Sequence, residues 1–144
     1  VEVATVAQTV REVMTAEPVS MAAGFRLDDA ARRMRDHNIG DVIVIDGTRV
    51  CGLVTDRDIV VRAVAEGRDP KLTKLSDICS TELVVVQPED PLERAEQLMR
   101  DHALRRLPVV EGGRPVGIVS LGDLAVERDP TSPLAGISAA PPNA

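Results

Sequence analysis

Apolar positions along this chain recur with two periods, and the order of the periods repeats. Leu27, Ala30, Ala31 and Met34 fall at the spacing of a helix with one buried face, and Leu92, Ala95, Leu98 and Met99 do the same. Each helix is preceded by a short extended stretch, at residues 19–21 and 84–86, and by a short helical or turn segment, at 10–15 and 75–80. Each is followed by an apolar run, 42–45 or 107–110, of strand length. Asp46 with Gly47, and Gly112 with Gly113, then give hairpin-turn signals. Return strands follow at 50–54 and 116–119, and a second helix starts at Thr55 or Ser120. In the first copy that helix is rich in aliphatics, from Ile59 through Val60, Val61 and Ala63 to Val64, and Gly67 and Pro70 mark its end. In the second it is cut short by Pro130. The pattern predicts β-α-β-β-α, twice.

The repetition is also literal. A shift of 65 residues lays positions 10–59 over 75–124 without a gap, with identities that include Glu17/Glu82, Leu27/Leu92, Met34/Met99, His37/His102, Gly52/Gly117 and Asp58/Asp123. The period is too long for a short solenoid unit. Two copies suggest two small subdomains about a pseudo-two-fold axis, with the cleft between them as a natural ligand site. The expected organisation is an N-terminal extension (1–9), a first domain (10–66), a linker (67–74), a second domain (75–128) and a disordered tail (129–144) rich in Pro, Ser, Ala and Gly.

Composition narrows the classes. The 144 residues are 44% hydrophobic and 28% charged but only 1% aromatic, so the core must be aliphatic. The net charge of -6 argues against a nucleic-acid binder, which needs a basic face for phosphates. No apolar run approaches a membrane span and no signal peptide is visible, so the expectation is a cytoplasmic protein without a membrane partner. Cys51 and Cys79 have no metal-type spacing and are expected as reduced thiols. Cys79 replaces Met14 in the repeat and reads as core, whereas Cys51 lies on a strand where either face is open to it.

The sharpest chemical signal is the Gly-x-x-Thr/Ser-x-x-Asp ending, Gly52 to Asp58 and Gly117 to Asp123. Each copy places a hydroxyl and a carboxylate three apart at a strand-to-helix junction. One reading is a capping box. The other is a ligand site, since helix N-terminal N–H groups attract phosphate and a carboxylate accepts the hydroxyls of a ribose. His37 and His102 sit at equivalent helix C-termini, where a cation or a carbonyl cap suits the dipole. A metal shared between them would fall short of the four ligands of a structural zinc site. Neither a nucleophile elbow, nor a phosphate-binding Gly-rich loop with Lys, nor a metalloprotease pair of histidines occurs, so no enzyme activity is expected.

The order of elements, the turn at Asp46 and Gly47, and the repeated ending resemble the CBS domain. So do Val13, Met14 and Thr15 followed by Pro18 and Val19, and the run Arg106, Leu107, Pro108, Val109, Val110. The segment from Thr55 through Asp56, Arg57 and Asp58 to Ile59 is similar to that of small bacterial proteins made of one CBS pair. The resemblance spans residues 10 to about 126 and implies an α+β (α/β) fold of tandem CBS domains. It also implies a homodimer, and an adenosine-type ligand such as AMP, ADP, ATP, S-adenosylmethionine or NAD. By that resemblance Asp58 and Asp123 bind ribose, and Thr55 and Ser120 bind ribose or phosphate. The segments around Ile39 and Asp41, and around Leu104, Arg105 and Arg106, line the adenine, with Thr15 near the cleft. No cofactor is required, and the effector protein is unknown.

The copies also differ. Ile43 stands where the second copy has Pro108, and Gly40 with Asp41 where it has Arg105 with Arg106. If these pairs face the ligand, Asp41 repels a phosphate and Arg106 attracts one, so the expectation is at most one tight site. The arginines read equally as a solvated strand end. Two functions follow: a sensor of an adenosine-type ligand acting on a partner protein, or a nucleotide-free dimer serving as a structural or interaction module. The aliphatic surplus over Ile59 to Val64 favours the second.

Overall fold

The computed structural model describes residues 7–79, 82–129, 131 and 133–140. Most of the expected N-terminal extension (1–6), Ser80 of the second opening segment, and Pro130 lie outside these residues. In chain order the elements are α1 (Val10–Val13), β1 (Thr15–Ala16), β2 (Ser20–Ala22), α2 (Leu27–His37), β3 (Asp41–Asp46), β4 (Arg49–Thr55) and α3 (Asp56–Ile59), which runs into a π-helical turn over Val60–Val64. There follow α4 (Leu75–Ile78), α5 (Leu92–His102), β5 (Arg106–Glu111), β6 (Arg114–Ser120), α6 (Leu121–Arg128) and α7 (Pro133–Ala139). The double β-α-β-β-α order expected from the hydrophobic pattern is the order observed, except that residues 84–86 contribute a single parallel bridge, Val86 to Val109, in place of a strand.

The chain forms two compact units. One comprises Pro18–Leu83 with Gly112–Pro115. Its sheet runs β2-β3-β4, with β2 parallel to β3 and β3 antiparallel to β4. On α2, Leu27, Ala30 and Met34 turn inward, at the spacing that puts them on one helix face. The helix starts where the Asp29 carboxylate accepts the Arg26 N–H at 3.1 Å. It ends at Asn38, which adopts the left-handed conformation at φ 54°. The core joins these side chains to Met21, Val42, Val44, Val54, Ala63, Leu75 and Ile78. Fully burying a Leu or Val side chain contributes about 1.5–3 kcal/mol, so an aliphatic set of this size suffices without aromatics. A bulge between Val44 and Ile45 leaves Cys51 as the extra residue of β4. Its thiol donates to the Val44 carbonyl at 3.3 Å, and that of Cys79 approaches the Cys51 carbonyl at 3.8 Å. Both are free thiols. Burial, reinforced by Cys51 and Asp58, pushes the Cys79 thiol up to about 11, which keeps it protonated and a poor nucleophile at neutral pH.

The second unit comprises Val84–Glu111, residues 116–129, 131 and 133–140 and, from the far end of the chain, residues 7–17. Its sheet runs β1-β6-β5, with Thr15 opposite Ile118 and Ala16 opposite Gly117. Leu92, Ala95 and Met99 of α5 repeat the inward face of α2 and share a core with Val10, Val86, Leu107, Val109, Val119 and Leu124. The opening segments of the two repeats are thus exchanged. Val10, which begins the first repeat, is buried in the core of the second, and Leu75, which begins the second, is buried in the core of the first. Arg11 ties the exchanged segment to Glu89 and Glu111 at 2.6 and 3.0 Å, but these pairs are exposed and add little.

The expected disorder of residues 129–144 is corrected over part of its length: α7 occupies Pro133–Ala139 and packs along α6. Proline is well suited to the first helical position. A helix this short owes its stability to packing rather than propensity, and Ala135 is 2% exposed.

The close approach of β1 to β6 requires a glycine. A Cβ at Gly117 would stand 2.5 Å from Met14 Sδ and 2.9 Å from the Thr15 carbonyl oxygen, and the backbone oxygen cannot give way. Gly117→Ala is expected to destabilise the protein by about 1–3 kcal/mol in urea unfolding. Gly24→Ala, where nothing lies within 4 Å of the new methyl group, should leave stability unchanged or slightly raised. Equal midpoints for the two variants would refute the role given to the β1–β6 contact.

Candidate functional site

Each repeat ends its second β-hairpin strand in the same junction. Thr55 and Ser120 are extended N-cap residues whose hydroxyls accept the N–H of Asp58 and Asp123, both at 3.0 Å. The carboxylates reach back to the Thr55 and Ser120 N–H groups, both at 2.9 Å. The capping box read from the sequence is therefore present twice. A third bond closes each junction. The first helical N–H donates to a carbonyl just ahead of the first hairpin strand, Asp56 to Gly40 at 2.9 Å and Leu121 to Arg105 at 2.8 Å. The residues at 40 and 105 are thereby pinned beside the helix start.

The junctions then diverge. In the first copy the Asp56 carboxylate accepts the Arg57 N–H at 2.8 Å, and Arg62 lies 3.7 Å from the second oxygen of Asp58 while donating to the Ile78 carbonyl. Asp41 stands opposite Thr55 in the β3–β4 ladder, placing a carboxylate beside the junction. In the second copy Leu121 replaces Asp56, and the Gly122 N–H has no acceptor among the described residues. Asp123 Oδ1 likewise takes no bond among them. The equivalent of Arg62 is Glu127, whose carboxylate faces away to accept the Ala7 N–H at 2.7 Å.

A cavity of about 340 Å³ opens at this second junction, lined by Arg105, Arg106, Ser120, Leu121, Gly122, Asp123, Val126 and Ser138. It combines two guanidinium groups and a backbone donor at a helix start with a carboxylate oxygen free to accept. In chemical terms the guanidinium groups and the N–H suit an anionic group, and the carboxylate oxygen suits a hydroxyl donor. Leu121 and Val126 supply an apolar wall.

Of the residues singled out from the sequence, Ser120, Asp123, Arg105 and Arg106 come together here. Thr55, Asp58 and Asp41 form the corresponding junction of the first copy. Ile39 and Leu104 have a structural role. Their N–H groups close the ends of α2 and α5 on the Met34 and Met99 carbonyls, both at 3.0 Å, and Ile39 packs on its unit's core. Neither lines the cavity. Thr15 is exposed on β1, next to β6, and is also outside the lining. Gly122 and Ser138 are cavity residues that the sequence reading passed over. Gly122 was legible as one of the positions where the two junction motifs differ, standing where the first copy has Arg57, whereas Ser138 lies beyond the repeat and carried no signal. His37 and His102 end their helices as expected, and no cluster of three or more metal-ligating side chains occurs among the described residues. No helix among them is long and apolar enough to cross a membrane.

Two copies of one β-α-β-β-α unit, each ending in a capped strand-to-helix junction, define a tandem α/β module. The CBS-domain family model matches residues 10–64 and 75–128, and the chain belongs to that family. The CBS domain-containing protein YhcV of Bacillus subtilis is 42% identical over 120 residues, 83% of this chain and 85% of YhcV. The crystal structure of Hypoxic Response Protein I, which has two coordinated zinc ions, matches with a TM-score of 0.75 at 32% identity, over 81% of this chain and 96% of that one. The CBS domain pair of MJ0100, solved with 5'-methylthioadenosine and S-adenosyl-L-methionine, shares the fold with a TM-score of 0.73 at 22% identity, over 81% of this chain and 96% of that one.

The caps are testable apart from any ligand. Thr55→Ala and Ser120→Ala should each lower stability by about 1 kcal/mol in urea unfolding, and the double variant by the sum. A change below 0.3 kcal/mol in both, on the order of measurement error, would contradict the geometry described.

Proposed function

We propose that the chain is a regulatory module whose second junction binds an adenosine-type ligand of the AMP, ADP and ATP class and passes that state to a partner protein. In this reading Asp123 accepts the ribose hydroxyls. Ser120 and the Gly122 N–H donate to a phosphate, and Arg105 and Arg106 neutralise it. The observation that carries the reading is the joining of an accepting carboxylate oxygen, a donor N–H at a helix start and two arginines around one cavity. The family and the fold shared with MJ0100 are compatible with it. The first junction is the weaker site, because Asp56 and Arg62 occupy the groups that a ligand would use and Asp41 adds a like charge. Signalling requires only that the ligand bind one conformation of the module better than another.

Calorimetric titration with AMP, ADP, ATP, NAD and S-adenosylmethionine tests this. Asp123→Ala and Arg106→Ala are expected to weaken binding tenfold or more, the loss expected for a charge-assisted hydrogen bond of roughly 1.5–3 kcal/mol. Asp58→Ala should leave affinity within about twofold, since it removes no group from the second junction. Wild-type affinity in Asp123→Ala, in a protein shown to be folded, would sink the ribose assignment.

A second reading, a nucleotide-free homodimer or interaction module, rests on Val60 and Val64. These lie in the π-helical turn of the first repeat, each 58% exposed, with Val61 beside them. If this face pairs two copies, Val60→Ser with Val64→Ser should shift sedimentation from dimer to monomer. A wild-type chain that sediments as a monomer at working concentration would dispose of it.

A further inference from the structure

The wall of the cavity contributed by α7 has no counterpart in the first repeat, because the repeat ends before it. A Cβ built on Gly122 would lie 2.7 Å from Ser138 Oγ and 3.0 Å from its Cβ, so the hydroxyl of Ser138 rests on the first turn of α6. That turn carries the Gly122 N–H, which lacks an acceptor among the described residues, and it is flanked by Ser120 and Asp123. Ser138 and these residues line one cavity of about 340 Å³, within the range of small-ligand pockets. The cavity exists with α7 in place. A ligand there gains the Ser138 hydroxyl rather than competing with the helix for space.

We infer that Ser138 is a ligand-contacting residue and that α7 acts as a clamp, its docking on α6 and occupation of the second junction each favouring the other. The inference rests on the adenosine-ligand reading of that junction. Its physical basis is linkage: a seven-residue helix is marginal alone and is held by packing, with Ala135 buried. A ligand that touches the docked helix stabilises it, and by reciprocity the docked helix tightens the ligand. The glycine at 122 has a purpose in this arrangement, since any side chain there would meet Ser138.

The test is titration of the full chain with AMP, ADP and ATP, alongside Ser138→Ala and Ala135→Asp. The first variant removes the hydroxyl. The second places a charge at a buried position of α7 outside the cavity lining and undocks the helix. Ser138→Ala should weaken binding about three- to tenfold, the value of one neutral hydrogen bond, and Ala135→Asp at least as much. Hydrogen exchange over residues 133–139 should slow on saturation of the wild-type chain with the same nucleotide, and not in Ala135→Asp. Wild-type affinity in both variants, or tighter binding in Ala135→Asp, would overturn the clamp, the latter by making α7 a plug. If the wild-type chain binds nucleotide and Asp123→Ala loses it while both α7 variants keep it, the clamp alone falls. If the wild-type chain binds none of the three, the reading of the junction falls and the clamp with it.

Discussion

Burial of Val10 and Leu75 holds each half of this protein together. Both side chains are inaccessible to solvent, and each completes the core of the unit that carries the other repeat. Without them each unit would keep a helix and a hairpin but leave an aliphatic face open, and the chain's single aromatic residue, Phe25, is outside both cores and 45% exposed. The exchange also positions chemistry. With Val10 come α1 and β1, and β1 adds to the edge of β6, the strand that ends in Ser120. The glycine at 117 permits this approach, because the Met14 and Thr15 atoms occupy the space of a side chain.

From that sheet edge the site follows by local hydrogen bonding. The capping box fixes the start of α6, and the Leu121-to-Arg105 bond fixes the arginine pair beside it. The same three bonds occur in the first repeat, so they are scaffold rather than specificity. What differs is charge. At the first junction the Asp56 carboxylate takes the Arg57 N–H, Arg62 lies by Asp58, and Asp41 stands opposite Thr55. At the second junction Leu121 replaces Asp56, Glu127 turns to the Ala7 N–H, and Arg105 and Arg106 line the cavity beside Asp123. A duplicated unit has in this way kept its backbone architecture twice while the side chains around the two junctions have diverged.

The linear pattern of side chains determined much of this. Helical spacing at Leu27, Ala30 and Met34 and its copy at Leu92, Ala95 and Met99, the paired turns, and the capping residues at Thr55 and Ser120 are local effects. They depend on neighbours within about one turn, so a sequence displays them directly. The inequality of the two junctions was also legible, because Asp41 against Arg106 is a difference between aligned positions. Two features were decided by tertiary structure alone. The exchange of Val10 and Leu75 between cores depends on which hydrophobic face lies within reach after collapse, and a repeat alignment is blind to that. The helix over Pro133–Ala139 is too short to be stable alone and packs along α6, with Ser138 against Gly122, a contact between segments that the repeat pattern does not display. Local preference is written in the order of residues, whereas long-range burial is chosen only once the chain has folded.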